Sequence, residues 1–318
     1  MKKVLKDIIK YIKNYDTIVI ARHENSDLDC LGAQYGLKAW IEANFEGKRV
    51  YCIGEDHNYY SKSFVPKSDK ISDIEEDFLG ICVDVNTIDR IDNKELFIKA
   101  TEKICIDHHR YSVEPDFDYY YIDFTSPACC EVLGEILLSS KNKKITKDVA
   151  KYLYSGIVSD SGDFYYESVD SNTFDVVSKL IKRGEFNPFN DVNIVARQRS
   201  FEELKLIGAL INEIVYEGGL AYYIVNLEKL KELGVTAHAA TEKINEFNRI
   251  QEFEIIATIA EVSENSYKCS LRSKTINLVD VATKFGGGGH KNACGIRNLT
   301  LEKVGELKEE LHKLIRNH

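Results

Sequence analysis

No apolar run in the 318-residue chain approaches the roughly 18 residues of a membrane-spanning helix, so no such span and no membrane partner are expected. The basic opening, MKKVLKDIIKYIKNY, lacks an unbroken apolar core and a small-residue cleavage site, and does not read as a signal peptide. No C-x-x-C pair occurs among the eight cysteines, Cys30, Cys52, Cys82, Cys105, Cys129, Cys130, Cys269 and Cys294. Several lie in apolar, strand-like runs such as ICVDV and KICID. They read as reduced, mostly buried thiols with no zinc knuckle, and a cytoplasmic protein is expected. Positive charge is short: 42 Lys and Arg stand against 51 Asp and Glu, a formal -9, which argues against general binding of long duplex nucleic acid. There is no internal repeat and no low-complexity tract.

What is present is globular in proportion. Hydrophobic residues make up 44% and charged residues 29%, which rules out a disordered or collagen-like chain, and the length suits two domains of ~150 residues each. Apolar groups at helical spacing (Val4, Leu5, Ile8, Ile9, Ile12) predict a first helix, and TIVIA at 17–21 a buried strand. A helix over 30–44, strand RVYCI at 49–53, and the apolar runs GICVDV at 80–85 and EKICID at 102–107 follow. Buried runs alternating with helical stretches predict an α/β fold, a parallel sheet with helices on both faces whose ligands sit beyond the carboxyl ends of the strands. Helical patterns recur at 126–140, 146–159 and 172–183. The broken stretch RGEFNPFND and a helix at 200–212 lead to a second unit. It holds strands near 213–217, 220–226, 253–262 and 266–273, a helical 236–249 and a last helix near 301–316. The expected division is 1–190, a linking helix at 191–212, and a smaller α/β domain with a mixed sheet at 213–318.

Four places set hard-metal ligands at strand or helix ends. His23-Glu24-Asn25-Ser26-Asp27-Leu28-Asp29 follows TIVIA, so His23, Asp27 and Asp29 can reach one point from a single loop. Asp84 closes GICVD, Asp107-His108-His109 closes KICID, and Asp160 lies in GIVSDSG at the end of a helical run. Singly, each is an ordinary cap or turn residue. Together, at the loop mouths of one sheet, imidazoles and carboxylates without a thiolate suit manganese, magnesium or iron better than structural zinc. Two divalent ions ~3.5–4 Å apart can clamp the attacking and leaving oxygens of an in-line displacement at phosphorus and activate water near neutral pH.

A second constellation is Phe285-Gly286-Gly287-Gly288-Gly289-His290, followed by Ala293-Cys294-Gly295. Consecutive glycines let main-chain N–H groups approach a phosphate, and Arg272 in Leu271-Arg272-Ser273-Lys274 can grip one bidentately. Residues 265–301 hold six cations (Lys268, Arg272, Lys274, Lys284, Lys291, Arg297) and one acid, Asp280, a local basic patch suited to a small anionic ligand. Phe164, Tyr165 and Tyr166, and the run Tyr119–Tyr121, are candidates for base stacking, with core or strand packing the plainer reading.

With these residues in order, the chain resembles the DHH phosphoesterase superfamily. H-x-x-x-D-x-D, a strand-end Asp, D-H-H and G-I-x-x-D-x-G succeed one another, and R-S-K and G-G-G-G-H are similar to the DHH-associated C-terminal domain. The segments DVNTIDRI from Asp84 and LGAQYGL from Leu31 look most like the nanoRNase group, bifunctional oligoribonucleases that also dephosphorylate 3′-phosphoadenosine 5′-phosphate (pAp). The resemblance implies a catalytic, metal-binding first domain and a substrate-binding second one. By it, His23 and Asp27 hold one manganese, Asp29, His108 and Asp160 the other, and Asp84 bridges them. Magnesium, cobalt or iron are alternative ions. Asp107 fixes the neighbouring imidazole, and His109 touches the scissile phosphate. Arg272, Ser273, Gly286, Gly287, Gly288, Gly289 and His290 hold the substrate. The implied reaction is hydrolysis of short oligoribonucleotides to mononucleotides and of pAp to AMP. Alternatives are a stand-alone phosphodiesterase for cyclic di-AMP or linear pApA, and a non-catalytic nucleotide sensor on the same scaffold. Partners are short RNA and small phosphorylated nucleotides, and a homodimer is compatible with the pattern. Ser26 stands where the family commonly has Pro, Leu28 where Gly is frequent, and Asp163 where the group usually carries Arg.

Overall fold

TIVIA is buried at every position, the mark of a strand covered on both faces. It is an interior strand of a sheet in a computed structural model that describes residues 1–56, 64–110, 117–198, 200–247 and 249–318, and of His290 the backbone. The chain divides into two compact units, Met1–Gln198 and Arg199–His318. The first runs α1 (Lys2–Asn14), β1 (Thr17–Ala21), α2 (Leu28–Asn44), β2 (Arg49–Cys52), β3 (Phe78–Val83), α3 (Lys94–Phe97), β4 (Glu102–Asp107), β5 (Tyr119–Ile122), α4 (Cys129–Leu138), α5 (Lys147–Asp160), α6 (Ser171–Gly184) and α7 (Ile194–Ala196). Its five strands lie in the order β2-β1-β3-β4-β5, parallel throughout.

Strand periodicity splits the burial between the sheet's two faces. Ile18, Ile20, Leu79, Ile81, Val83, Ile104 and Ile106 pack with Trp40 and the apolar faces of α1, α2, α4, α5 and α6. Val19, Ala21, Phe78, Cys82 and Cys105 pack instead with Ile91, Leu96 and Phe97 around α3. Helices cover both faces, heavily on one and briefly on the other. Close packing of α2 on α5 sets up the site. A Cβ on Gly32 would lie 2.4 Å from the Tyr152 carbonyl oxygen, and one on Gly156 would lie 2.6 Å from Asp29 Oδ1 and 2.9 Å from Asp29 Cα. Glycine at these two places lets the helices touch, which carries Asp29, in the first turn of α2, to Asp160 at the end of α5.

The second unit runs α8 (Phe201–Asn212), β6 (Val215–Glu217), β7 (Leu220–Val225), α9 (Leu227–Leu233), α10 (Ala237–Glu242), β8 (Ile255–Ser263), β9 (Ser266–Ser273), α11 (Val279–Lys284), β10 (Gly288–His290), β11 (Ala293–Leu299) and α12 (Leu301–Arg316). Its sheet order is β10-β11-β9-β8-β7-β6. The β7–β8 pair is parallel and the other pairs are antiparallel, a mixed sheet. Leu220, Ile259, Leu271 and Ile296 pack with α11 and α12 on one face, and Tyr223, Val225 and Ile256 with α8, α9 and α10 on the other.

Two expectations need correction. The helical 236–249 ends at Glu242 and tightens into a 3-10 turn over Lys243–Phe247. The glycine run, expected to present consecutive main-chain N–H groups, instead enters a strand at Gly288, half of the β10–β11 hairpin. Within 191–212, α7 closes the first unit and α8 opens the second. All eight cysteines are buried and none forms a disulfide among the described residues. No helix of the described residues is long and apolar enough to cross a membrane.

Candidate metal centre

Beyond the carboxyl ends of β1, β3 and β4, the loops deliver their polar side chains to one place. Asp27 caps α2: its Oδ1 accepts from the N–H groups of Asp29 (2.9 Å) and Cys30 (3.0 Å), leaving Oδ2 to face His23. The His23 loop is pinned by Arg22, a buried guanidinium that donates to the carbonyls of Ile53 (2.7 Å) and Glu55 (2.6 Å), and by a bridge to Ile91. His23 Nδ1 lies 2.7 Å from the Glu24 carbonyl oxygen. A carbonyl only accepts, so Nδ1 carries a proton and Nε2 is the atom turned inward. It sits 3.6 Å from Asp27 Oδ2 and 3.3 Å from Asp84 Oδ2.

His108 is held the same way, its Nδ1 3.1 Å from the Ser126 carbonyl oxygen. Its Nε2 faces Asp84 Oδ1 (3.4 Å), Asp160 Oδ2 (3.6 Å) and Asp29 Oδ2 (3.8 Å). Asp29 is steadied by the start of α4, where the N–H groups of Cys129 (2.7 Å) and Cys130 (2.9 Å) donate to its two oxygens. Asp84, just past β3, holds a left-handed backbone at φ 59°, a conformation a non-glycine residue keeps where surrounding structure enforces it. The result is that Asp84 Oδ2 looks toward His23 while Oδ1 looks toward His108 and His109. Asp107 Oδ1 accepts from the His108 main-chain N–H (2.7 Å) and from His109 Nδ1 (2.8 Å). Asp107 therefore orients the His109 ring, while the Ser126 carbonyl orients that of His108.

The electrostatics are those of a crowded acid cluster. Burial, reinforced by Asp84, pushes Asp29 up to about 7, and burial with Asp29 and Asp27 raises Asp160 well above the carboxylate range. Burial would lower His108, yet Asp84, Asp29 and Asp160 raise it well above a free imidazole. Burial would likewise raise Asp84, yet His108, His23 and His109 hold it well below the carboxylate range. Protons thus neutralise the cluster in the metal-free protein, and divalent cations can take their place. The donors fit such ions. Asp84 Oδ1 is buried without a hydrogen bond among the described residues. Three donor groups gather within 4.8 Å: His23, Asp27, Cys30 and Asp84; Asp84, His108 and His109; and Asp29, His108 and Asp160.

Residues 17–157 match the model of the DHH family, N-terminal domain, and residues 218–317 that of the DHHA1 domain. A bifunctional oligoribonuclease and PAP phosphatase NrnA from Mycoplasma genitalium is 32% identical over 322 residues, 99% of this chain and 99% of its own. The chain belongs to the DHH family. The NrnA protein of Bacillus subtilis, with the same description, is 25% identical over 98% of this DHH chain and 99% of its own. An exopolyphosphatase-related protein from Bacteroides fragilis shares the fold, with a TM-score of 0.83, 21% identity, and coverage of 100% of this chain and 96% of that one.

In the second unit the residues singled out from sequence fare differently. Arg272, at the end of β9, hydrogen-bonds Asn245 Oδ1 (3.2 Å), and its backbone pairs with Ala293, which pairs with His290. The register places the backbones of Arg272 and His290 two strands apart, ~10 Å. The His290 side chain lies outside the described residues. Ser273 is engaged internally, its hydroxyl donating to the Ile276 carbonyl and accepting from Asn292. The N–H groups of Gly286 (3.0 Å, to Thr283) and Gly287 (2.8 Å, to Ala282) close α11. Gly288 and Gly289 lie in the edge strand β10, paired with Gly295 and Cys294, so the four glycines do not form one continuous N–H nest. The basic patch is thinner than its count, because Lys274 pairs with Glu254 and Lys284 with Glu310. Tyr119–Tyr121 belong to β5.

Sequence reasoning missed Cys30, although it adjoins Asp29; it counted a ligand set without sulfur. It missed Ser126, whose backbone carbonyl carries no side-chain signal. Asp163, noted as a lost cation, lies at φ 62° and pairs with Arg197, so a guanidinium reaches this loop from elsewhere in the chain.

Proposed function

We propose that the protein hydrolyses short oligoribonucleotides to mononucleotides and pAp to AMP, with two divalent ions, manganese foremost, held by His23, Asp27, Asp84, Asp29, His108 and Asp160. The observation that carries the reading is the division of Asp84, one oxygen toward His23 and the other toward His108. The descriptions of the relatives, a bifunctional oligoribonuclease and PAP phosphatase, support the substrates. Such a pair of ions supplies charge neutralisation at the phosphoryl oxygens and water activation near neutral pH. The chain's own residues do the rest. Glu24 and Ser126 carbonyls fix both imidazoles with Nε2 inward, so neither ring spends time in a wrong tautomer. Asp107 holds His109 by Nδ1, leaving the far side of that ring to face the substrate phosphate. Arg272 and the Gly288–His290 strand bind a second phosphate, the terminal one of a short RNA or of pAp. With Lys274 and Lys284 already ion-paired and a net charge of -9, a longer strand gains few counterion-release contacts.

The test is turnover of pAp, a dinucleotide, a long RNA and cyclic di-AMP side by side with manganese. Release of AMP from pAp and of mononucleotides from the dinucleotide, both abolished by a chelator, is expected. Cyclic di-AMP as the best substrate would replace this reading with that of a cyclic dinucleotide phosphodiesterase. No turnover at all would leave a nucleotide sensor.

A further inference from the structure

Among the described residues, only the donor group at the His23 position includes a sulfur. Cys30 is fully buried, and its Sγ lies within 4.8 Å of donor atoms of His23, Asp27 and Asp84. The sequence arranges this simply. Asp27 caps α2, and Asp29 and Cys30 follow in its first turn, about 100° apart around the axis. Asp29 turns to the His108 side and Cys30 to the His23 side. Cys30 Sγ makes a long hydrogen bond to the Asp27 carbonyl oxygen, 3.5 Å, which sulfur gives up at little cost, and it also interacts with the His23 ring. One oxygen of Asp27 is occupied by helix N–H groups, so the His23 side offers one nitrogen, one oxygen each from Asp27 and Asp84, and one sulfur. Four donors of that mixture match tetrahedral zinc, iron or cobalt. The other side, Asp29, His108, Asp160 and the second Asp84 oxygen, is nitrogen and oxygen alone, suited to manganese or magnesium.

We propose that Cys30 is a ligand at the His23 position, which makes the two metal positions unlike and gives this one a preference for a thiophilic divalent ion. Coordination forms a sulfur–metal bond, breaks the S–H bond and releases the proton to water, with no change of oxidation state. The proposal rests on the two-metal reading above.

Cobalt(II) titration of the metal-free, full-length protein tests it, with bound cobalt counted by equilibrium dialysis. The wild type should bind two cobalt ions and develop a near-ultraviolet sulfur-to-cobalt charge-transfer band as one position fills. Cys30→Ser and Cys30→Ala, checked for folding by circular dichroism, should bind two ions without that band. Cys130→Ala, beside Asp29, should retain it. Zinc should displace cobalt from the wild type at about tenfold or more lower concentration than from Cys30→Ser. Two bound ions with no band in the wild type, or a band that survives in both Cys30 variants, overturns the assignment of Cys30 alone. Fewer than two bound ions overturns it together with the two-metal reading.

Discussion

Gly156→Ala adds one methyl group at the point where α5 meets α2. The new carbon would lie 2.3 Å from Cys130 Sγ, 2.6 Å from Asp29 Oδ1 and 2.9 Å from Asp29 Cα. The side chains can yield, but the last contact is backbone, so the helices must part by several tenths of an ångström. Overpacking of that kind costs about 1–3 kcal/mol, while alanine regains about 1 kcal/mol of helix propensity. The net expectation is a loss of up to about 2 kcal/mol, or as much as roughly 8 °C in Tm for a unit of this size. Because Asp29 is the group displaced, metal affinity should fall as well. Gly208→Ala in α8 and Gly305→Ala in α12 are the controls, since a Cβ there meets nothing within 4 Å. Both should raise stability by about 0.5–1 kcal/mol and leave metal binding alone. Thermal melts with and without manganese, with calorimetric titration of the metal, distinguish the cases. If Gly156→Ala stabilised the protein as the controls do, with unchanged metal affinity, the packing argument would be refuted.

Asp84→Asn removes the charge shared by both His–carboxylate groups, and should lose nearly all turnover on every substrate while keeping the fold; substantial activity at saturating manganese would exclude a bridging carboxylate. Arg272→Ala should raise KM or lower kcat/KM without altering manganese binding by calorimetry, whereas Asp29→Ala should lose metal; the reverse pattern would exclude the assigned roles. Burial pushes Glu131, in the first turn of α4, up to about 7, so its contribution to stability is complete below the ordinary glutamate range and is lost as pH rises through about 7. Glu131→Gln should therefore gain on the order of 1–2 kcal/mol over wild type near pH 8 and nothing near pH 4, read from denaturant melts at the two pH values.

The elements legible in the sequence are those with a strong hydrophobic period. TIVIA and EKICID are β1 and β4 residue for residue, and the last helix spans 301–316 as its spacing predicts. The elements missed carry a weaker signal. Residues 288–290 are two glycines and a histidine, whose strand comes from pairing with Ala293–Gly295 rather than from propensity. The helical pattern of 236–249 gives way at Lys243, where the chain tightens. At the metal centre, side chains with the right chemistry were readable one by one. The carbonyls of Glu24 and Ser126, the left-handed turn at Asp84 and the helix contact at Gly156 were not, because each depends on segments distant in sequence meeting in space.

If one metal-centred site serves both short RNA and pAp, as proposed, the two substrates must compete for it. Initial rates over a series of RNA lengths, at fixed ionic strength and with manganese, test this most directly when pAp is added as a competitor. A trinucleotide should be hydrolysed faster than a long RNA, and pAp and the trinucleotide should inhibit each other's turnover competitively. Faster hydrolysis of the long RNA, or two activities that proceed without mutual inhibition, would contradict the proposal.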